Sequence, residues 1–263
     1  NELRYAANVN LSTLKNEVTQ LDVNAPVAGA SVRGYNLTWF EEGQPIWYFK
    51  GYKTDGIFDS KAEADSYNTK YGTTFVAGDP IVVDVNGDNK ISPSDQTKIG
   101  SPHPSLIYGG NISLGYKGFD FNLAFQGVSG NDIFMAWYRT DRSLSNKPAY
   151  MYEGRWTATN TSASLPRADN NSDYVYRSDL MVSSGSYMRI KQIQLGYTLS
   201  NEITSKFGVS SLRAYISLDD YFTITKYKGL DPEAGSNNNQ SQGVDRGLYP
   251  ISAKMLFGLT ASF

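Results

Sequence analysis

The chain has 263 residues with 24 basic and 26 acidic side chains, a formal charge of −2, and its mean hydropathy is −0.42. No apolar run approaches the roughly 18 residues that a membrane-spanning helix needs, and so even a charge balance does not fit a nucleic-acid partner, which calls for a strongly basic face. The absence of cysteine excludes a disulfide framework and a thiol nucleophile.

Aromatic side chains are abundant, with 19 Tyr, 12 Phe and 4 Trp, and 24 glycines supply turns. In chain order, Leu3, Tyr5, Ala7, Val9 and Leu11 alternate with Arg4, Asn8, Asn10 and Ser12. Side chains on a strand alternate faces, so this period of two predicts a two-faced strand. A stretch at 46–58, IWYFKGYKTDGIF, is aromatic but alternates poorly and is taken as a further strand. Leu106, Tyr108, Ile112, Leu114 and Tyr116 alternate with Ser105, Asn111 and Ser113. After a short link at Lys117-Gly118, Phe119, Phe121, Leu123 and Phe125 alternate with Asp120, Asn122 and Gln126. Ile193, Leu195, Tyr197 and Leu199 follow, opposite Gln192, Gln194, Thr198 and Ser200. Leu212, Ala214, Ile216, Leu218, Phe222 and Ile224 then oppose Arg213, Ser217, Asp219, Thr223 and Thr225. The last segment runs from Ile251 through Ala253, Met255, Phe257, Leu259 and Ala261 and closes on Phe263. No repeat of 20–50 residues suggests a solenoid or propeller.

Seven segments result, and their links separate a barrel from a sandwich. Links at 117–118 and 201–211 are short, whereas 59–104, 127–186 and 226–250 are long and polar. Tight turns on one side and large loops on the other, with a terminal aromatic, are the pattern of bacterial outer-membrane barrels; a sandwich carries loops of mixed length at both ends. The expected fold is therefore all-β, an antiparallel transmembrane β-barrel. Seven strands alternating in direction would start the first one on the loop side. Because single-chain bacterial barrels have even strand numbers, at least one strand, with the export signal, is expected upstream.

One segment carries explicit chemistry. Asp84, Asn86, Asp88, Ser92 and Asp95, with the Lys90 carbonyl, stand at loop positions 1, 3, 5, 9, 12 and 7 of an EF-hand-like run. A hard cation needs six to eight converging oxygens, which makes calcium the expected ion and magnesium the lesser choice. Asn89 replaces the usual turn glycine and Asp95 the usual bidentate glutamate; a solvated Asx-turn loop with no ion is the alternative. Trp39, Trp47, Trp137, Tyr138, Tyr152 and Trp156 are candidate sugar-stacking surfaces, or else pack loops and the membrane girdle. His103, the lone histidine, sits between two prolines and reads as a loop residue. Asp219-Asp220 and Glu41-Glu42 are adjacent, so on a strand each pair points to opposite faces and does not converge as an acid and base. SNNNQSQ at 236–242 reads as a mobile loop tip.

GVSGNDIF at 127–134, SGSYMRIKQIQLGYTLS at 184–200, FTITKYKGLDPE at 222–233, the acidic loop with its following strand at 84–111 and the closing FGLTASF resemble the carboxyl-terminal third of SusC-like (RagA-like) TonB-dependent transporters of Bacteroidota. The likeness runs in order over almost the whole chain. Ser252 and Ala253 stand where that family carries a Pro-Arg pair after the final Tyr-Pro, which puts any role of that arginine in doubt. The resemblance implies that the chain is the carboxyl-terminal part, about seven strands, of a barrel of about 22 strands. It also implies a plug domain and a TonB-contacting segment outside this sequence. By the same resemblance the parent imports glycans or peptides across the Gram-negative outer membrane, without catalysis, energised by TonB-ExbB-ExbD and lidded by a SusD-like surface lipoprotein. The competing reading from residues alone is a secreted or surface β-domain that binds carbohydrate and is stabilised by calcium.

Overall fold

The computed structural model describes residues 3–22, 25–138, 146–168, 173–233 and 238–263. Its largest element is a six-stranded antiparallel sheet in which every neighbour in space is also the next wall strand in sequence. The strands are β1 (Arg4–Thr13), β2 (Leu106–Tyr116), β3 (Phe119–Ser129), β4 (Tyr187–Thr198), β5 (Ser211–Thr225) and β6 (Lys254–Ser262). Lengths of nine residues or more suit a membrane crossing, where tilted strands of ~9–11 residues span the hydrocarbon.

Register turns the two-residue period into two chemically distinct faces. One row across all six strands reads Tyr5, Leu114, Phe121, Leu195, Ile216 and Phe257. The adjacent row, on the opposite face, reads Ala6, Ser113, Asn122, Gln194, Ser217 and Leu256. The apolar face is bare: Tyr5 is 78% and Phe257 75% exposed. An apolar surface spanning six strands exceeds what a water-facing monomer carries, and it needs lipid or protein against it. On that face the Tyr108 ring lies over Gly127, where a Cβ would approach the ring carbon to 2.4 Å, so the aromatic covers the backbone that glycine leaves open. β-Bulges interrupt the register at Ala124/Phe125 and at Ile190/Gln192.

The connections divide by length as expected. Lys117 and Gly118 both have positive φ (46° and 83°), the conformation of a two-residue hairpin turn matched to strand twist. All three long links leave from the other end of the sheet.

Two expectations are corrected. The segment at 46–58 is not a wall strand. It forms two short strands, Tyr48–Gly51 and Thr54–Ile57, which pair with Thr38–Phe40, Thr97–Gly100 and Pro80–Val82 in separate small sheets. Its poor alternation has a physical cause, since Tyr48, Phe49, Gly51, Tyr52 and Ile57 are all buried within the loop body and no single face is left for solvent. With six wall strands in place of seven, β1 begins at the tight-turn end: Arg4 lies opposite Gly115 and Ser262 opposite Ser211. The argument from strand parity for a start on the loop side therefore fails.

The long links build one body with a core of their own. Val32, Phe49, Phe134, Met181, Tyr227 and Val244, drawn from all three links, are buried together. Asp132–Met135 pairs antiparallel with Val182–Ser184 and parallel with Val244–Asp245, joining the second link to the third. Phe49 and Phe134 meet edge to face at 6.1 Å, and burying each ring contributes ~1.5–3 kcal/mol. A second cluster of Tyr52, Phe58, Ala64, Phe75 and Val82 holds the helix Lys61–Tyr71, which Ser60 caps at its start and Gly72 closes in the left-handed conformation.

Candidate functional site

The polar face of the sheet and the loop body above it carry the candidate site. Near the tight turns, Arg213 on β5 donates to both oxygens of Asp120 on β3 and to Gln194 between them. Glycine at 196 makes room for this fork, because a Cβ there would stand 2.4 Å from Asp120 and 2.5 Å from Arg213. Toward the loops, Gln126, Arg189 and Thr223 form one polar row across β3, β4 and β5.

Arg189 ties this row to the third link. Only 4% of its side chain is exposed; it donates to Asp231 at 2.6 Å, lies 3.0 Å from Glu233 and donates to Thr223 at 2.9 Å. Asp231 also accepts N–H groups from Glu233 and Ile251. Burial by itself would raise the Asp231 pKa, but these N–H groups and the Arg189 guanidinium outweigh it and hold the carboxyl below its ordinary value. Between the second and third links, Trp137 donates to the Tyr227 hydroxyl, which donates to the buried carboxylate of Asp245 at 2.6 Å. Burial, reinforced by Asp245, raises the Tyr227 pKa and keeps the phenol protonated. Asp245 in turn accepts from the backbone N–H groups of Gly247 and Leu248.

In the acidic loop, Asp84 accepts the N–H groups of Gly87 and Asn89, Asn86 accepts that of Asp88, and Asp88 accepts that of Lys90. Asn89 takes the left-handed conformation, φ 58°, that glycine usually supplies here. Asp95 is fully buried, accepts from Val85 and Ser92, and forms a capping box with Ser92. The side chains thus fold the turn on themselves, and among the described residues no three carboxylates or imidazoles meet at one point. Asp95 is turned onto the N–H groups of Val85, Asn86 and Ser92, whereas the side-chain oxygens of Asp84, Asn86 and Asp88 keep lone pairs that suit a hard cation.

The six aromatic candidates do not converge. Trp39 lines a cavity of about 350 Å³ and donates to the Asn36 carbonyl. Trp47 packs on Phe40 at 5.4 Å and over Gly29. Trp137 and Tyr138 pack against the shared core, and the Tyr138 carbonyl accepts from Arg33 and Tyr176. Tyr152 is 67% exposed beneath Arg155, and Trp156 packs over Gly78. His103 makes a loop contact, its Nε2 donating to the Ile46 carbonyl at 2.8 Å. Asp219 accepts from Ser217 while Asp220 pairs with Lys191, and Glu41 and Glu42 likewise hold separate partners, Tyr48 and the Leu21 N–H. Within SNNNQSQ, positions 236 and 237 lie outside the described residues; Asn239–Ser241 is a capped turn, exposed except for Ser241 and anchored where the Gln240 carbonyl accepts from Thr38.

Sequence reasoning did not single out Arg189, Asp231 or the cations around Trp39. Arg189 was visible as a charge at a polar-face position of MRIKQIQ; its acidic partner Asp231 lies on the third link and has no local signal.

No family model matches the chain. Among curated relatives, TonB-dependent receptor P3 of Formosa agariphila is 30% identical over 278 residues, covering all of this chain and 27% of the relative. TonB-dependent receptor SusC of Bacteroides thetaiotaomicron is 27% identical over 282 residues, covering 97% of this chain and 27% of the relative. In fold, the chain matches the structure of the RagAB peptide transporter with a TM-score of 0.73 and 21% identity, over all of this chain and 27% of that one. The chain spans about a quarter of the length of the relatives it matches. These relatives are receptors and transporters, not enzymes.

Proposed function

This chain belongs to the SusC/RagA-like TonB-dependent receptors, and from that premise we propose that it is the carboxyl-terminal wall and outer-loop portion of an outer-membrane importer of bulky nutrients. The observation that carries this reading is the six-strand register, which sets an apolar row and a polar row on opposite faces of one sheet. In the proposed assembly the apolar face meets lipid. The edge strands β1 and β6 pair with further strands of the parent barrel, because unpaired edge groups in hydrocarbon cost several kcal/mol each. No bond is made or broken by these residues: the wall encloses, and the loop body forms the rim over which substrate enters. A plug domain elsewhere in the parent would respond to TonB, and a SusD-like surface lipoprotein would close over the loops. The cargo is an oligosaccharide or a peptide. A secreted β-domain is the weaker reading, since it would leave the apolar row in water.

We also propose the acidic loop as a structural calcium site using Asp84, Asn86, Asp88, the Lys90 carbonyl, Ser92 and Asp95. Lone pairs left on side chains already gathered in one turn support it.

Membrane extraction and copurification test the principal reading. The full-length parent is expected to resist carbonate, to shift in gel mobility on heating and to bring down a surface lipoprotein under gentle extraction. A parent that is soluble without detergent overturns the barrel; a barrel that copurifies alone and whose uptake survives loss of the neighbouring lipoprotein overturns the lid.

A further inference from the structure

The cavity beside Trp39 gathers three cations, each stacked on an aromatic ring. Arg33 lies in the tight hairpin between Ser31–Val32 and Tyr35–Asn36, Lys50 on the strand next to Trp39, and Arg177 just beyond the short helix Asp173–Tyr176. The Arg177 guanidinium stands 3.4 Å over the Tyr35 ring, that of Arg33 3.7 Å over Tyr176, and the Lys50 ammonium 5.2 Å from the Trp39 ring. Two separate links thus contribute to one lining. Among the described residues, that lining includes these three cations and the amides of Asn36 and Gln96, and no carboxylate. The acids that partner two of the cations, Asp173 at 3.4 Å from Arg177 and Glu41 at 3.4 Å from Lys50, are not part of that lining.

Arg33 donates to the Ala136 and Tyr138 carbonyls and so fixes the lining, whereas Arg177, flat on Tyr35 and paired with Asp173 through Nη2, presents an in-plane edge that suits a planar anion. The Arg177 Nε is buried and has no hydrogen-bond acceptor, and a buried donor without a partner is costly. At about 350 Å³ the cavity is at the small end of ligand sites, which run ~300–1,000 Å³, so it fits the end unit of a chain.

We propose that this cavity binds a uronic acid unit, the carboxylated sugar at the end of an oligosaccharide; the inference rests on the importer reading above and assigns its cargo class. The carboxylate sits in the plane of a stacked guanidinium, where two parallel N–H bonds are strongest. The sugar C–H face lies on the Trp39 indole, and ring hydroxyls meet Asn36 and Gln96, whose amides both donate and accept. A basic or amino-terminal peptide end is repelled by the three cations. An acidic peptide end brings backbone N–H donors that this donor-rich lining does not receive.

Calorimetric titration of the detergent-solubilised full-length receptor tests the assignment, with trigalacturonic acid, neutral maltotriose and triglutamate as probes. Trigalacturonic acid is expected to bind at least tenfold more tightly than either of the others, to weaken with added salt, and to lose at least tenfold in Arg177→Gln. Should Arg177→Gln fail to assemble, Trp39→Leu and Lys50→Gln carry the same expectation, with the heat-dependent gel shift as the check on assembly. Equal binding of the neutral sugar, tighter binding of triglutamate, or full uronate affinity in the assembled variants overturns the proposal. If none of these probes binds yet uptake remains TonB-dependent, this site is rejected and the importer reading stands; loss of TonB dependence rejects that reading instead.

Discussion

Arg189 on the wall and Asp231 on the third outer link meet at 2.6 Å in a place where the arginine is almost fully withdrawn from solvent. The pair joins two stretches that are far apart in sequence, MRIKQIQ and GLDPE, and it fixes the loop to the polar face of the sheet. Removing one partner of a buried ion pair costs about 3–5 kcal/mol, because the other charge is left uncompensated. Arg189→Met is therefore expected to free the link, with rapid proteolytic cleavage between residues 226 and 250 of the solubilised parent while the heat-dependent gel shift persists. Arg189→Met combined with Asp231→Leu should be milder than either alone. Unchanged cleavage in Arg189→Met would mean that the pair does not anchor the loop.

The same anchor has a defined response to pH. Asp231 has its carboxyl held below the ordinary value in the folded state, so its contribution is present above the unfolded pKa of ~3.9 and is lost only as pH falls through the lower folded value. Cleavage of the link should be as slow at pH 5 as at pH 7 and should accelerate below about pH 4. An acid-stable protease with fixed activity over that range measures it, and release between pH 5 and 6 would assign the anchoring to other groups.

Charge on the two wall faces should have opposite outcomes. Leu195→Arg places a charge on the apolar row and is expected to cost about 2–4 kcal/mol near the midplane of a bilayer, with loss of heat-stable folded barrel in outer-membrane fractions. Asn122→Arg, on the adjacent polar row, should assemble normally. Equal assembly of both variants would contradict the lipid-facing assignment of that row.

For the acidic loop, calcium is expected to bind at ~10⁻⁴–10⁻³ M, the range of extracellular modules. Terbium luminescence displaced by calcium reports it, and Asp84→Asn with Asp88→Asn should abolish the signal without preventing barrel assembly. A signal that survives in this double variant places the ion elsewhere, and no signal in the wild type removes the site.

The wall was legible because a sheet with one face in water and one against apolar surroundings writes its period directly into the residues: Tyr5, Leu114, Phe121, Leu195, Ile216 and Phe257 each follow from alternation alone. The bulge at Ile190/Gln192 was not, since one inserted residue leaves the local pattern intact on both sides. The loop body was less legible still. Phe49, Phe134 and Val244 lie on strands buried on every side, so they present short apolar runs without a period, and 46–58 was read as wall for that reason. Arg33, Lys50 and Arg177 gather through a tertiary contact between separate links, and no spacing in the sequence encodes it.

The shared core of the three outer links constrains how such receptors can be rebuilt. Phe49 comes from the first link, Ile133 and Met181 from the second, and Tyr227 and Val244 from the third, all in one cluster. A single loop transplanted from a relative would bring complementary surfaces for partners it no longer meets, leaving voids that cost ~2–5 kcal/mol for each large side chain lost. Chimeras designed to exchange cargo should therefore transfer all three links together as one cassette, cut at the ends of the wall strands, where the hydrogen-bond ladder alone sets the junction.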